Sequence, residues 1–412
     1  MSEFVHLHVA SGFSLRYGAS HPEALAERAA ERGMAAVALT DRDTLAGAVR
    51  FAKASARAGV RPVYGVELAV GEQAAERTAV RRRRAPVRGG AFVDESAQRV
   101  VFLAGNGAAG WAQLCRLVTA AHAHGGERPL LPWEEMAGAP GVIVLLGPDS
   151  DVGRALAAGR PDRAARLLGR WREVYGGALR LEVSAAAPLR DAARMLGLAA
   201  EQKAKPVLTN AVRYADPGQG PVADVLDAAR RLVPVDPRRG LDGGERWLKG
   251  ADGMAAAAER IAEAAGYRSD TAHRLLALTA ETAAACRVDP EDDIGIGDVH
   301  FPEPRLVGAG QRTAERVLRS RCAAAMVTRR YERDRERWER LDEELRIIEQ
   351  LGFSSYFLTV AQVVEDTKAL GIRVAARGSG AGSFVAHLLG IAQADPVEHG
   401  LLIGRASCRE RV

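Results

Sequence analysis

Residues 36–70 read AVALTDRDTLAGAVRFAKASARAGVRPVYGVELAV. The apolar run Ala36–Thr40 predicts a buried strand, Thr44–Ala58 a helix stopped by Gly59, and Arg61–Val70 a second strand. Strand, helix and strand at these lengths form a βαβ unit, whose crossover makes the two strands parallel. The pattern continues on both sides. Phe4–Val9, Val100–Ala104, Val142–Leu146, Leu179–Val183 and Pro206–Thr209 predict further strands. Pro22–Arg32, Gly110–Ala123, Arg163–Tyr175 and Leu189–Lys203 predict the helices between them. Seven strands in such alternation predict an α/β fold with a largely parallel sheet, and favour a closed β/α barrel over an open one. The alternation fails between Gly71 and Arg99, where Arg81–Arg84 and Gly89–Gly90 mark a solvated surface insertion.

Beyond the strands the chain changes character. Ala255–Arg287 is Ala-rich and helical, and Asp289–Pro304 holds Pro, Gly and acidic residues without periodicity. A boundary there divides residues 1–287 from residues 288–402. Gln311–Gln350 is a long charged helical stretch, with one apolar stripe at Trp338, Leu341, Leu345 and Ile348. The 412 residues suit two or three domains. The formal charge of +5 hints at an anionic partner, yet only five of the 57 cations are lysine, a balance that also follows from GC-rich codons. No apolar run reaches membrane-spanning length, the first residues lack a signal peptide, and the four cysteines form no C-x-x-C pair. These features predict a cytoplasmic protein with no membrane partner and no cysteine-based zinc site.

Two constellations bear chemistry. His6 and His8 in the first strand, Asp41 after the second and Glu67 in the third are residue types that bind Zn²⁺ or Mn²⁺ when they converge at a barrel mouth. Arg377-Gly378-Ser379-Gly380-Ala381-Gly382-Ser383 precedes the apolar run Phe384–Ile391. A Gly-rich turn opening a helix aims backbone N–H groups at an anion, and Arg377 adds a bidentate guanidinium. The spacing is neither that of a Walker A loop nor that of a dinucleotide fingerprint.

Taken in order, these pieces resemble the C-family DNA polymerases, the family of the bacterial DNA polymerase III alpha subunit. Phe4–Val70 is similar to the start of that family's PHP domain. EELRIIEQLGFSSYFLTV (343–360) and ARGSGAGSFVAHLLGIAQADP (376–396) are similar to segments of its palm. The resemblance implies a PHP-type β/α barrel followed by a mostly helical start of a polymerase palm domain. It implies that Arg377, Gly378, Ser379, Gly380, Gly382 and Ser383 bind the triphosphate of an incoming dNTP. It further implies template-directed DNA synthesis by the full-length enzyme, with Mg²⁺ as cofactor, a DNA primer-template as substrate, and a sliding clamp and other replisome subunits as partners.

The resemblance also marks departures. His8, Asp41 and Glu67 match metal-ligand positions of the PHP site, but the second histidine of the first motif falls on Ala10 and an acidic position on Tyr17. Arg42 and Arg99 stand where histidines are common, and the closing Asp-x-His appears as Ala211-Val212-Arg213. Arginines in a cation site repel metal ions, so a vestigial, empty PHP site is expected. The family's palm aspartates follow the segment matching Leu401-Leu402, and no such motif occurs here. The expectation is therefore a fragment with no catalytic residue and no polymerase activity of its own. Residues 403–412, IGRASCRERV, match an in-frame translation of a sequencing-library adapter and are expected to be a non-native tail. Alternatives are the error-prone C-family polymerase of translesion synthesis, a stand-alone PHP phosphoesterase, and a non-catalytic nucleic-acid-binding module.

Overall fold

The computed structural model describes residues 4–71, 97–105, 107–123, 129–136, 141–235, 242–297, 301–307 and 312–401. The surface insertion expected around Arg81–Arg84 and the tail 403–412 lie outside the described residues. The chain divides into two compact units, Met1–Gly297 and Asp298–Val412.

The first unit contains α1 (Pro22–Glu31), β1 (Ala36–Arg42), α2 (Ala48–Ala58), β2 (Arg61–Gly71), β3 (Gln98–Ala104), α3 (Gly107–Ala123), β4 (Leu131–Pro132) and α4 (Trp133–Met136). It continues with β5 (Val142–Leu146), α5 (Asp151–Ala157), α6 (Pro161–Tyr175), β6 (Leu179–Ser184), α7 (Leu189–Glu201), β7 (Lys205–Thr209), α8 (Gly220–Arg231), α9 (Ala251–Ala264) and α10 (Ser269–Ala285). The strands form one sheet in the order β1-β2-β3-β5-β6-β7, with β4 beside β2. The βαβ unit read from residues 36–70 is present, and β1 and β2 pair in parallel from Ala36↔Arg61 to Arg42↔Glu67. Its helix starts at Ala48 instead of Thr44, because Thr44–Gly47 is spent on a turn in which the Thr44 hydroxyl accepts from Ala46 N. The sheet is less parallel than expected, since β3 runs against both β2 and β5.

The closed barrel of regular strands is replaced by a curled sheet whose two ends are bridged by residues 6–10. Ala38 N and Thr40 N donate to His6 O and Val9 O at 2.9 and 2.7 Å. On the other side, Val212 N donates to His8 O at 2.9 Å, and Ala10 N to Val212 O at 2.8 Å. The expected strand Phe4–Val9 bends at Leu7, which breaks the side-to-side alternation. Leu7 joins the apolar layer inside the curl, and its neighbour His8 lines the mouth above that layer.

That inner layer holds Ala36 and Ala38 of β1, Val63 of β2, Val101 and Leu103 of β3, Ile143 and Leu145 of β5 and Val207 of β7. Alternate residues on the same strands, such as Leu39, Val66, Phe102, Val144 and Leu208, pack outward among the helices. Continuing the inner face along each strand brings Thr40 and Arg42, then Glu67, then Glu182, then Thr209, to one end. Residues 288–297 pack against this unit through Val288, Ile294 and Ile296.

The second unit comprises α11 (Ala314–Thr328), α12 (Arg335–Gln350), α13 (Ser354–Ala369) and the short α14 (Phe384–Leu388). The single helical stretch read over Gln311–Gln350 is two helices. The chain leaves α11 through Arg330, at φ 63°, and restarts where the Asp334 side chain caps Arg337 N. Leu341, Leu345 and Ile348 of the apolar stripe are buried against α11 and α14, with Trp338 partly buried at its edge. Among the described residues no single helix is long and apolar enough to cross a membrane.

Strand packing leaves no room at Gly65, where a Cβ atom would lie 2.7 Å from Phe102 O and 2.8 Å from Thr40 Cγ2. Gly65→Ala is expected to destabilise the first unit by ~1–3 kcal/mol, as overpacking does. Urea unfolding followed by tryptophan fluorescence, which reports mainly on Trp111, Trp133, Trp171 and Trp247 of that unit, checks this. An unchanged midpoint would contradict the close packing.

Candidate functional site

The mouth of the curled sheet is built around the Glu67 carboxylate, which is 2% exposed. The β1–β2 register sets Arg42 beside it, and Arg42 Nε donates to Glu67 Oε2 at 2.6 Å, with NH2 reaching Oε1 at 3.3 Å. Burial opposes the charge on Glu67. The Arg42 guanidinium, the nearby His8 imidazole and the more distant Arg99 outweigh it and hold the carboxyl well below its usual range. Arg99 is tied to Asp43 at 2.8 Å.

His8 lies between two carboxylates. Its Nδ1 is 2.7 Å from Glu182 Oε1 and its Nε2 is 3.9 Å from Glu67 Oε2. Burial disfavours the imidazolium, but the Glu182 and Glu67 carboxylates raise the His8 pKa well above its ordinary value. Glu182 also accepts from Thr209 Oγ1 at 2.6 Å. Sequence reading missed Glu182, although its place near the C-terminal end of an inner-facing strand was the available signal. His6 does not share the face of His8. The bend at Leu7 turns it to Lys249 O, 2.8 Å away, and burial lowers its pKa to about 4.

Asp41 stands apart from this cluster. Ser11 N and Ser14 Oγ both donate to Oδ1 at 2.6 Å, and Ser11 Oγ donates to Oδ2 at 2.9 Å. Burial raises its pKa despite these bonds. Of the three ligand positions read from the sequence, the structure thus brings His8 and Glu67 together and gives Asp41 to a serine loop. Tyr17 fills the centre of the mouth. The Arg42 guanidinium lies 3.3 Å and that of Arg213 4.1 Å from its ring centroid, and Arg246 donates to its hydroxyl at 2.9 Å. Arg213, buried, is paired with Asp227 and Asp242, each at 2.7 Å. These residues fit a metal ion poorly. The Glu67, Glu182 and Asp41 oxygens already accept hydrogen bonds, and Arg42 holds the cationic position. Among the described residues, no group of three His, Cys, Asp or Glu side chains is arranged to hold a metal.

In the second unit, Gly378 takes φ 82°, a conformation open to glycine, and starts the turn Ser379–Gly382. Arg377–Gly380 are exposed, and Gly382 is half-buried. Ser383 is buried and caps α14, where its Oγ accepts from Ala386 N. The α14 N-terminus, read as an anion cradle, already holds an anion of the chain itself. Glu344 of α12, 2% exposed, accepts from Ser383 Oγ at 2.8 Å, Phe384 N at 2.9 Å and Val385 N at 3.0 Å. Arg340 donates to the same carboxylate at 2.8 Å. Donors for an external anion are therefore left to Arg377 and the turn that follows it.

Residues 6–186 match the family described as PHP domain, and residues 313–412 match the bacterial DNA polymerase III alpha NTPase domain. The DNA polymerase III subunit alpha of Caulobacter vibrioides is 33% identical over 99% of this chain, which covers 34% of that protein. The error-prone DNA polymerase of Mycolicibacterium paratuberculosis is 31% identical over 98% of the chain, covering 35% of that protein. That of Symbiobacterium thermophilum is 32% identical over 99%, covering 36%. An amidohydrolase structure from Chromobacterium violaceum aligns with 51% of the chain and 87% of its own length, at a TM-score of 0.35 and 18% identity. The chain thus resembles the PHP domain over its first unit and the DNA polymerase III alpha NTPase domain over its last hundred residues, and spans about a third of the length of the curated relatives it matches.

Arg42→Ala leaves Glu67 buried without its cation. Removing one partner of a buried pair costs about 3–5 kcal/mol, and that loss is expected in chemical denaturation at neutral pH. The acid limb follows from linkage. Glu67, with its pKa depressed on folding, contributes stability that is present above its unfolded value and lost as pH falls through the folded one. Arg42→Ala should therefore shift the onset of acid unfolding to higher pH. An unchanged acid profile by circular dichroism would show that the pair is not what holds Glu67 charged.

Proposed function

We propose that this chain, a PHP domain joined to part of a DNA polymerase III alpha domain, is a portion of a DNA-directed DNA polymerase that performs template-directed synthesis in bacterial replication. The observation that carries the proposal is the pairing of both domain matches in one chain, with relatives of either polymerase type aligned along 98–99% of it. In the full-length enzyme, Arg377 and the turn through Gly382 receive the triphosphate of an incoming dNTP. Ser383 serves from behind, holding the turn to α14. Mg²⁺, the primer-template, a sliding clamp and other replisome subunits belong to that longer enzyme. The error-prone polymerase is the second reading, favoured by the relatives of that name at nearly the same identity.

Under this proposal the PHP mouth is a structural site without metal-dependent nuclease chemistry. The support is the substitution of guanidinium for metal. Arg42 neutralises Glu67, and Arg213 neutralises Asp227 and Asp242. A stand-alone phosphoesterase would need those carboxylates for an ion that activates water.

Primer extension tests both parts. The 412-residue chain should extend no primer in Mg²⁺, and extension would refute the absence of catalytic residues from it. In a full-length polymerase carrying this segment, Arg377→Ala should raise the KM for dNTP about tenfold with a smaller change in kcat. An unchanged KM would remove Arg377 from triphosphate binding.

A further inference from the structure

Among the described residues, the Glu344 carboxylate accepts from four donors. Oε1 accepts from Arg340 Nε at 2.8 Å and Phe384 N at 2.9 Å, and Oε2 accepts from Ser383 Oγ at 2.8 Å and Val385 N at 3.0 Å. Glu344 is buried, on a helix whose Leu341, Leu345 and Ile348 already share a core with Phe384, Val385 and Leu388 of α14. Stability does not call for a carboxylate here, since replacing a buried ion pair by apolar groups of similar volume is often neutral or stabilising. What the carboxylate adds is direction. Apolar contact holds α14 against α12 but permits small slides and rotations. Donors on three successive residues, converging on one charged group, do not.

Ser383 is also the last residue of the Gly-rich stretch. Its N–H donates to Gly380 O at 3.2 Å, and Ala381 N donates to Gly378 O at 3.1 Å. These two bonds carry the position of Ser383 back to Gly378, the neighbour of the exposed Arg377. A glycine-rich turn loses much backbone freedom when it is ordered, so a guanidinium carried on it is placed only as well as the fixed end of the turn. We propose that Glu344 is a positioning residue for Arg377. It holds Ser383 and the first turn of α14, and through them sets where the Arg377 guanidinium meets a triphosphate. The role rests on the reading of Arg377–Gly382 as a dNTP-binding turn. Glu344 touches no substrate in this scheme. Arg340 offsets its charge, so the anchor does not repel the anion that it serves.

Steady-state primer extension by a full-length polymerase carrying this segment is the test, with Glu344→Gln and Arg377→Ala made singly and together. Glutamine keeps the side-chain shape, but its NH2 group would face donors where the carboxylate accepts. Glu344→Gln is expected to raise the KM for dNTP about fivefold with no change in the KM for primer-template, and to add less than about twofold in the Arg377→Ala background. Ser383→Ala leaves the carboxylate its Arg340, Phe384 and Val385 donors and tests the same link if Glu344→Gln does not fold. It should raise the KM for dNTP about twofold, again only while Arg377 is present. In the 412-residue chain, hydrogen exchange read by mass spectrometry should quicken at residues 378–386 of Glu344→Gln and stay unaltered in α11. A KM for dNTP that Glu344→Gln leaves unchanged or raises equally in both backgrounds would overturn the positioning role, as would unaltered exchange at 378–386. A KM that Arg377→Ala leaves unchanged would overturn the reading of the turn itself, and the positioning role with it.

Discussion

The first unit is organised around one constraint, that the Glu67 carboxylate is buried and charged and must have a cation beside it. A lone carboxylate at 2% exposure would be protonated or would destabilise the fold. The β1–β2 register resolves this by setting Arg42 opposite Glu67, so the same hydrogen-bond ladder that builds the sheet delivers the counter-charge. The Arg42 guanidinium then needs a surface of its own, and Tyr17 supplies its ring face at 3.3 Å. Tyr17 in turn fixes Arg213 and Arg246, and through Arg213 the carboxylates Asp227 and Asp242. Among the described residues, the buried ions Glu67, Glu182 and Arg213 are each held by a partner from another part of the chain.

The second unit uses the same device at smaller scale. Glu344 is a buried carboxylate held by Arg340 and by three donors at the start of α14. It locks the C-terminal end of the Gly-rich turn to α12 while the Arg377 end stays exposed. The turn is thus anchored at one end and open at the other.

Much of this was legible in the sequence. The βαβ unit of residues 36–70 and the strands at 142–146, 179–183 and 206–209 follow from apolar runs and helix stops; the structure places the strands within a residue or two and starts the helix of the unit four residues late. The reversal of β3 was not legible, because hydrogen-bond direction depends on long-range pairing and not on local pattern. The turn at Thr44–Gly47 and the break at Arg330 are also tertiary, since both stretches carry acceptable helix formers. At the site, Glu67 and His8 were found by residue type; Glu182 was marked only by its place near the end of an inner-facing strand, and Glu344 sits in an ordinary charged helix pattern that gives a carboxylate no distinction. The loss of Asp41 to Ser11 and Ser14 could not be read, because contact across 27 to 30 residues leaves no local trace.

The central claim is that guanidinium groups, and not a metal ion, neutralise the buried carboxylates at the mouth of the first unit. Metal analysis by inductively coupled plasma mass spectrometry, on the chain purified without chelator and then dialysed against Zn²⁺ or Mn²⁺, tests it most directly. The account predicts substoichiometric metal, identical in wild type and Glu67→Gln. Stoichiometric Zn or Mn in the wild type that disappears in Glu67→Gln would contradict it.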